Sequence, residues 1–150
     1  MVRKLQRKEI DEVAGIWLDV NLKAHDFIPD RYWKDNYKLV QEMLGQAEVY
    51  VYEEENEIQG FVGLDNDYIA GLFVRSGMQS NGIGKQLLDF VKDVKQQLRL
   101  NVYQKNTGAV RFYQREDFLV QRESTDENTG EQEYVMIWSN GNGDRAGMLL

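Results

Sequence analysis

The first half of the chain changes between helical and strand-like spacing of its apolar residues. Residues 2–5 predict a short first strand, and over residues 8–25 the apolar positions recur at the spacing of one helix face. A second helix is predicted after a break at Pro29, over an aromatic-rich segment that ends at Leu44. Residues 49–64 contain two β-rich runs around a charged turn, which is typical of an antiparallel hairpin.

The second half places a long amphipathic helix between strands. A strand is predicted at 68–74, and the helix after it has an apolar stripe that comprises Ile83, Leu87, Val91, Val94 and Leu98. A strand at 98–103, a short helix at 106–117 and strands at 118–123 and 134–138 complete the pattern. The strand–helix–strand unit over 68–103 implies a parallel pair with a right-handed crossover, whereas the hairpins imply antiparallel pairs. The predicted fold class is therefore α/β, a mixed sheet with helices on both faces.

Composition indicates one globular domain. The chain has 150 residues, of which 42% are hydrophobic and 29% are charged. We assign residues 1–138 to the domain and expect a flexible tail at 139–150, where periodicity is lost. Since we find no membrane-spanning apolar run and no secretory signal, we expect a cytoplasmic protein without a membrane partner. We also expect a monomer or homodimer.

Charge and cysteine content exclude several kinds of chemistry. The net charge of −7 argues against a nucleic-acid partner, whose binding would depend on a basic surface. The absence of cysteine excludes a thiol nucleophile, and a single histidine beside scattered carboxylates indicates no metal site. The acidic balance favours either a cationic substrate or simply solubility, and the sequence leaves both open.

The Gly-rich segment between the strand at 68–74 and the following helix raises the question of a phosphate ligand. A P-loop is excluded, because Gln86 follows Gly84 and Lys85 where serine or threonine is needed, and Gln79 occupies the place of the first glycine. The dinucleotide fingerprint is excluded as well, since Leu87 occupies the place of its third glycine.

The segment does fit the pattern Gln-x-x-Gly-x-Gly, through Gln79, Gly82 and Gly84. Successive backbone N–H groups over residues 80–85 would lie at the positive end of a helix and could bind a pyrophosphate. A tight strand-to-helix turn without any ligand explains the same glycines. The loop alone does not decide between the two.

A second pattern begins after the strand at 98–103. Its members follow the order Asn-x-x-Ala-x-x-Phe-Tyr-x-x-x-x-Phe and are Asn106, Ala109, Phe112, Tyr113 and Phe118. With the Gly-rich loop, this pattern resembles the GNAT superfamily of N-acetyltransferases, which use acetyl-CoA. The resemblance covers about residues 2–138. It implies the GNAT fold, a mixed, mostly antiparallel sheet of about seven strands with helices on both faces. The segment around His25 further resembles a branch of small bacterial GNAT proteins.

The resemblance implies where acetyl-CoA binds. In this family the Gly-rich loop holds the CoA pyrophosphate, and the preceding strand splays from its parallel neighbour to hold pantetheine and the acetyl group. The asparagine comes from the start of the fourth helix. The residues expected to contact acetyl-CoA are Leu72, Phe73, Val74, Gln79, Ser80, Asn81, Gly82, Ile83, Gly84, Lys85 and Asn106.

Two positions depart from the family pattern. Asp117 precedes Phe118 where most relatives have glycine, and aspartate tolerates the left-handed conformation that would end the helix there, at some cost. Ala70, two residues before Leu72, stands where many relatives carry an acidic residue. The usual carboxylate base is therefore missing or lies elsewhere, and the turn residues Asp65 and Asp67 are weak alternatives.

Acetylation of an amine requires a neutral amine, a hydrogen-bond donor for the thioester carbonyl and a proton for the departing thiolate. Tyr113 is the predicted proton donor, because a phenol stays protonated at neutral pH. A purely structural role beside Phe112 is the alternative. The candidates for the acceptor site are His25, Asp26, Tyr32, Trp33 and Asp67. A helix-capping role is the alternative for His25.

The predicted function is transfer of an acetyl group from acetyl-CoA to a primary amine, by direct attack in a ternary complex. The amine could belong to a small molecule, an amino acid, a protein or a peptide, and no metal is expected. The alternative is a CoA-binding regulatory or sensor module without transferase activity, which Ala70 keeps open.

Overall fold

A computed structural model of the chain describes residues 1–79 and 81–140, so Ser80 and most of the expected tail lie outside the described residues. Seven strands form one sheet in the order β1-β2-β3-β4-β5-β7-β6. They are β1 (Val2–Lys4), β2 (Glu48–Glu54), β3 (Glu57–Asp65), β4 (Tyr68–Val74), β5 (Gln97–Tyr103), β6 (Leu119–Thr125) and β7 (Gln132–Ser139). The helices are α1 (Ile10–Ala24), α2 (Asp30–Asp35), α3 (Tyr37–Leu44), α4 (Ile83–Val94) and α5 (Thr107–Arg115). β4 and β5 are parallel, and the other neighbouring strands are antiparallel, as predicted.

Helices cover both faces of the sheet, and β2 shows how the sequence divides the core. Its side chains alternate, so Val49 and Val51 pack with α1 and α3, whereas Tyr50 and Tyr52 pack with α4. Burial of each large apolar side chain contributes about 1.5–3 kcal/mol, which fixes the register of the strand. No helix within the described ranges is long and apolar enough to cross a bilayer.

Two local predictions about helices were wrong. The predicted second helix is divided at Asn36, where ψ is 0° and the side-chain amide donates to the Tyr32 carbonyl at 2.7 Å. The stripe predicted for α4 is also too long. Val94 is 50% exposed and Leu98 belongs to β5, because the chain becomes extended at Lys95. Leu98 still enters the core, but from the strand.

The parallel pair is short. Only Tyr68 with Arg99, and Ile69 with Leu100, are aligned between β4 and β5. The register between β3 and β4 shifts at the same place, so that Ala70 is an extra residue between Ile69 and Gly71. Beyond this bulge, β4 stays paired with β3 but leaves β5, as the resemblance implied. One edge of β4 therefore has no strand partner.

The end of α5 has the predicted left-handed residue. Asp117 has a φ of 72°, and the N–H of Phe118 donates to the Tyr113 carbonyl at 3.0 Å. This turn sends the chain into β6 and buries Phe118, which is 1% exposed, beneath Tyr113. Aspartate therefore takes the place of the glycine that is usual at such helix ends.

Candidate active site

A cavity of about 830 Å³ lies where β4 and β5 diverge, within the range of small-molecule sites. Residues 70–74 of β4 and 101–103 of β5 form two of its walls. One part of the remaining lining, here called the loop side, consists of Gln79, Gly82, Gly84, Lys85, Asn106, Phe112 and Tyr113. Another part, here called the aromatic side, consists of Trp17, His25, Trp33, Tyr68, Tyr103 and Glu133.

The loop side is built around the N-terminus of α4. Gly82 occupies the N-cap with a φ of 80°, and a Cβ at this position would meet no atom within 4 Å. Among the described residues no side chain caps the helix, and its first turn contains no acidic residue. The Gln79 amide donates to the Val74 carbonyl at 3.1 Å, which holds the loop against β4. The helix end therefore offers open backbone N–H groups to an anion.

Most of the residues predicted to contact acetyl-CoA line this cavity. Those that do are Leu72, Phe73, Val74, Gln79, Gly82, Gly84, Lys85 and Asn106. Asn81 does not line it, and the Ile83 side chain is 2% exposed and packs in the core. Ser80 lies outside the described residues. Lys85 is paired with Glu116 at 2.9 Å, so its charge is partly balanced.

Asn106 links the start of α5 to the first helix. Its Oδ1 accepts from the Ala109 N–H at 3.2 Å, so that Asn106 is the N-cap of α5. Its Nδ2 lies 3.0 Å from Nε2 of His25, and Nδ1 of His25 lies 2.8 Å from Oδ1 of Asn21. The Asn21 amide nitrogen in turn donates to the Trp17 carbonyl at 2.8 Å. A continuous hydrogen-bond chain thus joins α1 to α5.

This chain fixes the state of His25. Both asparagine amides are oriented by their other hydrogen bonds, so Nδ1 of His25 must donate and Nε2 must accept. A second ring proton would face the Asn106 amide, which is also a donor. Burial lowers the pKa of His25 to about 4, in agreement with a neutral ring. His25 also stacks on Trp33 with ring centroids 5.5 Å apart.

Tyr113 lies on the inner face of α5. Its side chain is 7% exposed, lines the cavity, and packs between Phe112 and Phe118 with ring centroids 5.2 and 5.5 Å away. Burial raises the pKa of the phenol, so the hydroxyl keeps its proton at neutral pH. Tyr113 therefore lines the cavity, as its predicted catalytic role requires, and also packs in the core beside Phe112, as the alternative structural role requires.

The other acceptor candidates differ in their placement. Trp33 lines the cavity, and its buried indole N–H has no acceptor among the described residues. Tyr32 packs edge-on against Trp33 at 4.9 Å but does not itself line the cavity. Asp26 is exposed and lies outside the lining.

Asp67 also lies outside the lining. Its carboxylate accepts from Gln97 at 2.6 Å and from Arg99 at 3.1 Å, and these hydrogen bonds lower its pKa. A carboxylate with a lowered pKa is a poor proton acceptor. The structure thus brings His25 and Trp33 to the cavity, and it does not bring Asp26, Tyr32 or Asp67 there.

Glu133 is a cavity residue that the sequence pattern did not predict. This residue lines the cavity, and its Oε1 accepts from the Asn101 amide at 3.2 Å. Burial raises the pKa of the carboxyl, and the nearby Asp126 raises it further. The last strand was predicted to begin at Tyr134, whereas β7 includes Glu133 opposite Tyr103 of β5. The one sequence signal for Glu133 is its spacing of two and four residues from Val135 and Ile137, which would place the three side chains on the same face of a strand.

The described residues contain no group of three or more histidine, aspartate or glutamate side chains that could hold a metal ion. The polar side chains that line the cavity can form hydrogen bonds or transfer protons. They include three phenols, one neutral imidazole, three asparagine amides, the amide of Gln79, the cations Lys85 and Arg115, and the carboxylates of Glu116 and Glu133.

The depressed pKa of His25 predicts a pH-dependent stability. The unfolded chain binds a proton at the ordinary pKa of 6.5, and the folded protein does so only near about 4. The free energy of unfolding should therefore fall as the pH is lowered from about 6.5 to about 4, by roughly 1–2 kcal/mol because the ring is half-buried. Urea denaturation at several pH values measures this change.

The control for this prediction is His25→Gln, which cannot titrate in the window. We expect it to be less stable at neutral pH, but its stability should decline less over this interval, since only the carboxylates still titrate. Parallel loss of stability in the two proteins would contradict the assignment.

The sequence has related proteins of named activity. A family described as "Acetyltransferase (GNAT) domain" matches residues 23–138. Peptidyl-lysine N-acetyltransferase YiaC of Escherichia coli (strain K12) is 34% identical over 140 residues, which cover 92% of this chain and 96% of the relative. Peptidyl-lysine N-acetyltransferase YjaB of Salmonella typhimurium (strain LT2) is 28% identical over 130 residues, which cover 86% and 90% of the two chains.

Solved structures show the same architecture. The solution structure of apo-form YjaB from Escherichia coli matches with a TM-score of 0.82 at 25% identity, over 92% of this chain and 96% of that chain. The structure of yncA from Salmonella typhimurium with its cofactor acetyl-CoA matches with a TM-score of 0.68 at 15% identity, over 93% and 92%. With the family match over most of its length, the chain belongs to the GNAT family of acetyltransferases and is an N-acetyltransferase.

Proposed function

We propose that this acetyltransferase acts on the side-chain amine of lysine in a protein or peptide. The donor is acetyl-CoA, and the amine attacks it directly in a ternary complex. One observation carries the proposal, namely that a single cavity joins the loop side to the aromatic side along the free edge of β4. Donor and acceptor can therefore meet at that edge. The names of the relatives YiaC and YjaB, which specify peptidyl-lysine, support the acceptor class.

The loop side fits acetyl-CoA, which supplies an acetyl group activated as a thioester. Gln79, Gly82, Gly84 and Lys85 would hold the pyrophosphate, because the uncapped N-terminus of α4 favours an anion and Gly82 leaves the backbone open. Leu72, Phe73 and Val74 would hold the pantetheine arm along β4. The unpaired edge of this strand is the source of backbone N–H groups for the thioester carbonyl.

Tyr113 is the proposed donor of the proton that the departing thiolate receives. Its hydroxyl stays protonated at neutral pH, and its side chain lines the cavity on the loop side. The sequence contains no cysteine, so transfer through a cysteine thioester is excluded. Direct attack by the amine agrees with both observations.

His25 is proposed to position other groups and not to act as the base. Both ring nitrogens are occupied, by Asn21 and by Asn106, and the ring stays neutral. It therefore holds α1 against the N-cap of α5 and presents Trp33 to the cavity. No observation favours the alternative of a sensor that binds CoA without transferring the acetyl group.

The proposed function predicts turnover on lysine peptides. With acetyl-CoA and an Nα-acetylated peptide that contains one lysine, we expect release of CoA and addition of one acetyl group to the peptide. The matched control is the same peptide with Lys→Arg, which should give no product. Thiol detection and mass spectrometry measure the two results. Binding of CoA by calorimetry, without turnover on any amine, would contradict the proposal.

The role of Tyr113 predicts a separation of turnover from binding. Tyr113→Phe should lower kcat by about 10²-fold, the usual scale for loss of a general acid, with the Kd of acetyl-CoA unchanged. Tyr52→Phe is the matched control, since Tyr52 is also buried, at 8% exposure, but lies outside the cavity lining. A loss of acetyl-CoA affinity equal to the loss of turnover would make Tyr113 structural.

The loop assignment predicts that a negative charge at the N-cap of α4 blocks the cosubstrate. Gly82→Glu should weaken CoA binding at least about tenfold, because a carboxylate would occupy the anion position. Gly130→Glu is the control, since Gly130 has a similar φ of 77° but does not line the cavity. Calorimetry would measure both affinities. Equal loss in the two variants would point to backbone strain, and unchanged affinity would refute the site.

A further inference from the structure

The Glu133 carboxylate has no cationic partner in the part of the chain that the structure describes. Two carboxylates line the cavity, and one of them, Glu116, is paired with Lys85 on the loop side. Glu133 accepts a hydrogen bond from Asn101, but no Lys, Arg or His side chain among residues 1–79 and 81–140 forms an ion pair with it. A partly buried carboxylate is destabilised unless a positive charge or further donors approach it.

The cavity that Glu133 lines suits a lysine side chain. His25, Trp33 and Tyr103 place aromatic rings on the same side of the cavity, with centroid distances of 5.0 Å between His25 and Tyr103 and 5.5 Å between His25 and Trp33. Aromatic walls pack well against the methylene groups of lysine and attract its ammonium. The hydroxyl of Tyr103 is already donated to Asp126 at 2.6 Å, so its ring and not its hydroxyl is offered to the cavity.

The strand that lines the other wall brings no base. β4 contributes Tyr68 and residues 70–74, and among these only Tyr68 titrates. Burial raises the pKa of that phenol, so it is not a base at neutral pH. Glu133 reaches the same cavity from β7, through its position opposite Tyr103 in the sheet. It is therefore the lining carboxylate that remains available to an incoming amine.

We propose that Glu133 is a catalytic residue that binds the ammonium of the acceptor lysine and receives a proton from it, directly or through one water molecule. This inference rests on the proposed function, because it assumes a lysine acceptor. It gives the enzyme a base on β7 that lines the same cavity as the free edge of β4.

The proton balance is complete without a further co-reactant. The lysine ammonium gives one proton to Glu133, which later releases it to solvent. The neutral nitrogen then forms a bond to the acetyl carbon while the bond from that carbon to sulfur breaks. Tyr113 gives its proton to the departing thiolate and regains one from the nitrogen, which keeps its third proton in the amide product.

The charged and neutral groups that face Glu133 are Asn101, Asp126, Tyr32 and Tyr68.

Glu133→Gln tests the proposal, because it removes the charge and keeps an oxygen that can accept from Asn101. With a lysine peptide at pH 7 we expect kcat/KM to fall by about 10²-fold, with the Kd of acetyl-CoA unchanged. Glu123→Gln is the matched control, since Glu123 lies on β6, bonds to Gln104 at 2.8 Å and does not line the cavity. It should behave as the wild type.

A pH profile separates a base from a structural residue. Near pH 10 the free lysine amine loses its proton in solution, at its pKa of about 10.4, so the defect of Glu133→Gln should shrink to a few-fold. Tyr32 and Tyr68, whose pKa values are raised, stay neutral over most of this range. A defect that stays constant from pH 7 to pH 10 would overturn the role as a base, and a loss of thermal stability or CoA affinity would reveal a structural role.

The outcomes distinguish this inference from the proposed function. If the wild type acetylates lysine peptides and Glu133→Gln does so equally well at pH 7, only the inference fails. If the wild type acetylates another cationic amine but no lysine peptide, the lysine acceptor fails, and the same variant tests Glu133 with that amine. If no amine is acetylated, both fail.

Discussion

The separation of β4 from β5 is the constraint on which the rest of the molecule depends. The two parallel strands align at only two residue pairs, and the bulge at Ala70 turns β4 away. Backbone N–H and C=O groups along an unpaired edge need other partners, and a buried edge without partners is costly. A ligand bound in the cavity along this edge would supply hydrogen-bond partners for these groups. The divergence of β4 from β5 therefore also creates the candidate active site.

The connection after β4 follows from this geometry. A right-handed crossover to β5 must begin where β4 ends, so the N-terminus of α4 lies beside the point where the strands part. Gly82 caps this helix in a left-handed conformation, which leaves its first N–H groups open. The free strand edge and the positive helix end are therefore neighbours for a topological reason.

The two sides of the cavity differ in the sign of their charge, although the protein as a whole has a net charge of −7. The helix end contributes positive potential on the loop side, where Lys85 is paired with Glu116, and Glu133 contributes a negative charge on the aromatic side. An anionic cosubstrate and a cationic acceptor would each meet a complementary surface. Between them, Asn106 and His25 connect α5 to α1, so the two parts of the lining hold a fixed spacing. The neutral state of His25 is part of that connection, because only a neutral ring can accept from Asn106.

The amino-acid sequence by itself determined the elements, the family and most of the loop side. Apolar periodicity located the strands and helices to within a few residues, since burial of one face is a local pattern. The spacings from Gln79 to Gly84 and from Asn106 to Tyr113 identified the loop and the tyrosine. The left-handed residue at Asp117 followed from the same pattern.

Tertiary structure decided what depends on distant residues. The end of α4 depends on how Leu98 reaches the core from a strand. The bond between His25 and Asn106 joins residues 81 positions apart, and Glu133 enters the cavity only because β7 pairs with β5. The local spacing of apolar residues cannot predict such contacts, since they form only once the sheet has brought its strands together.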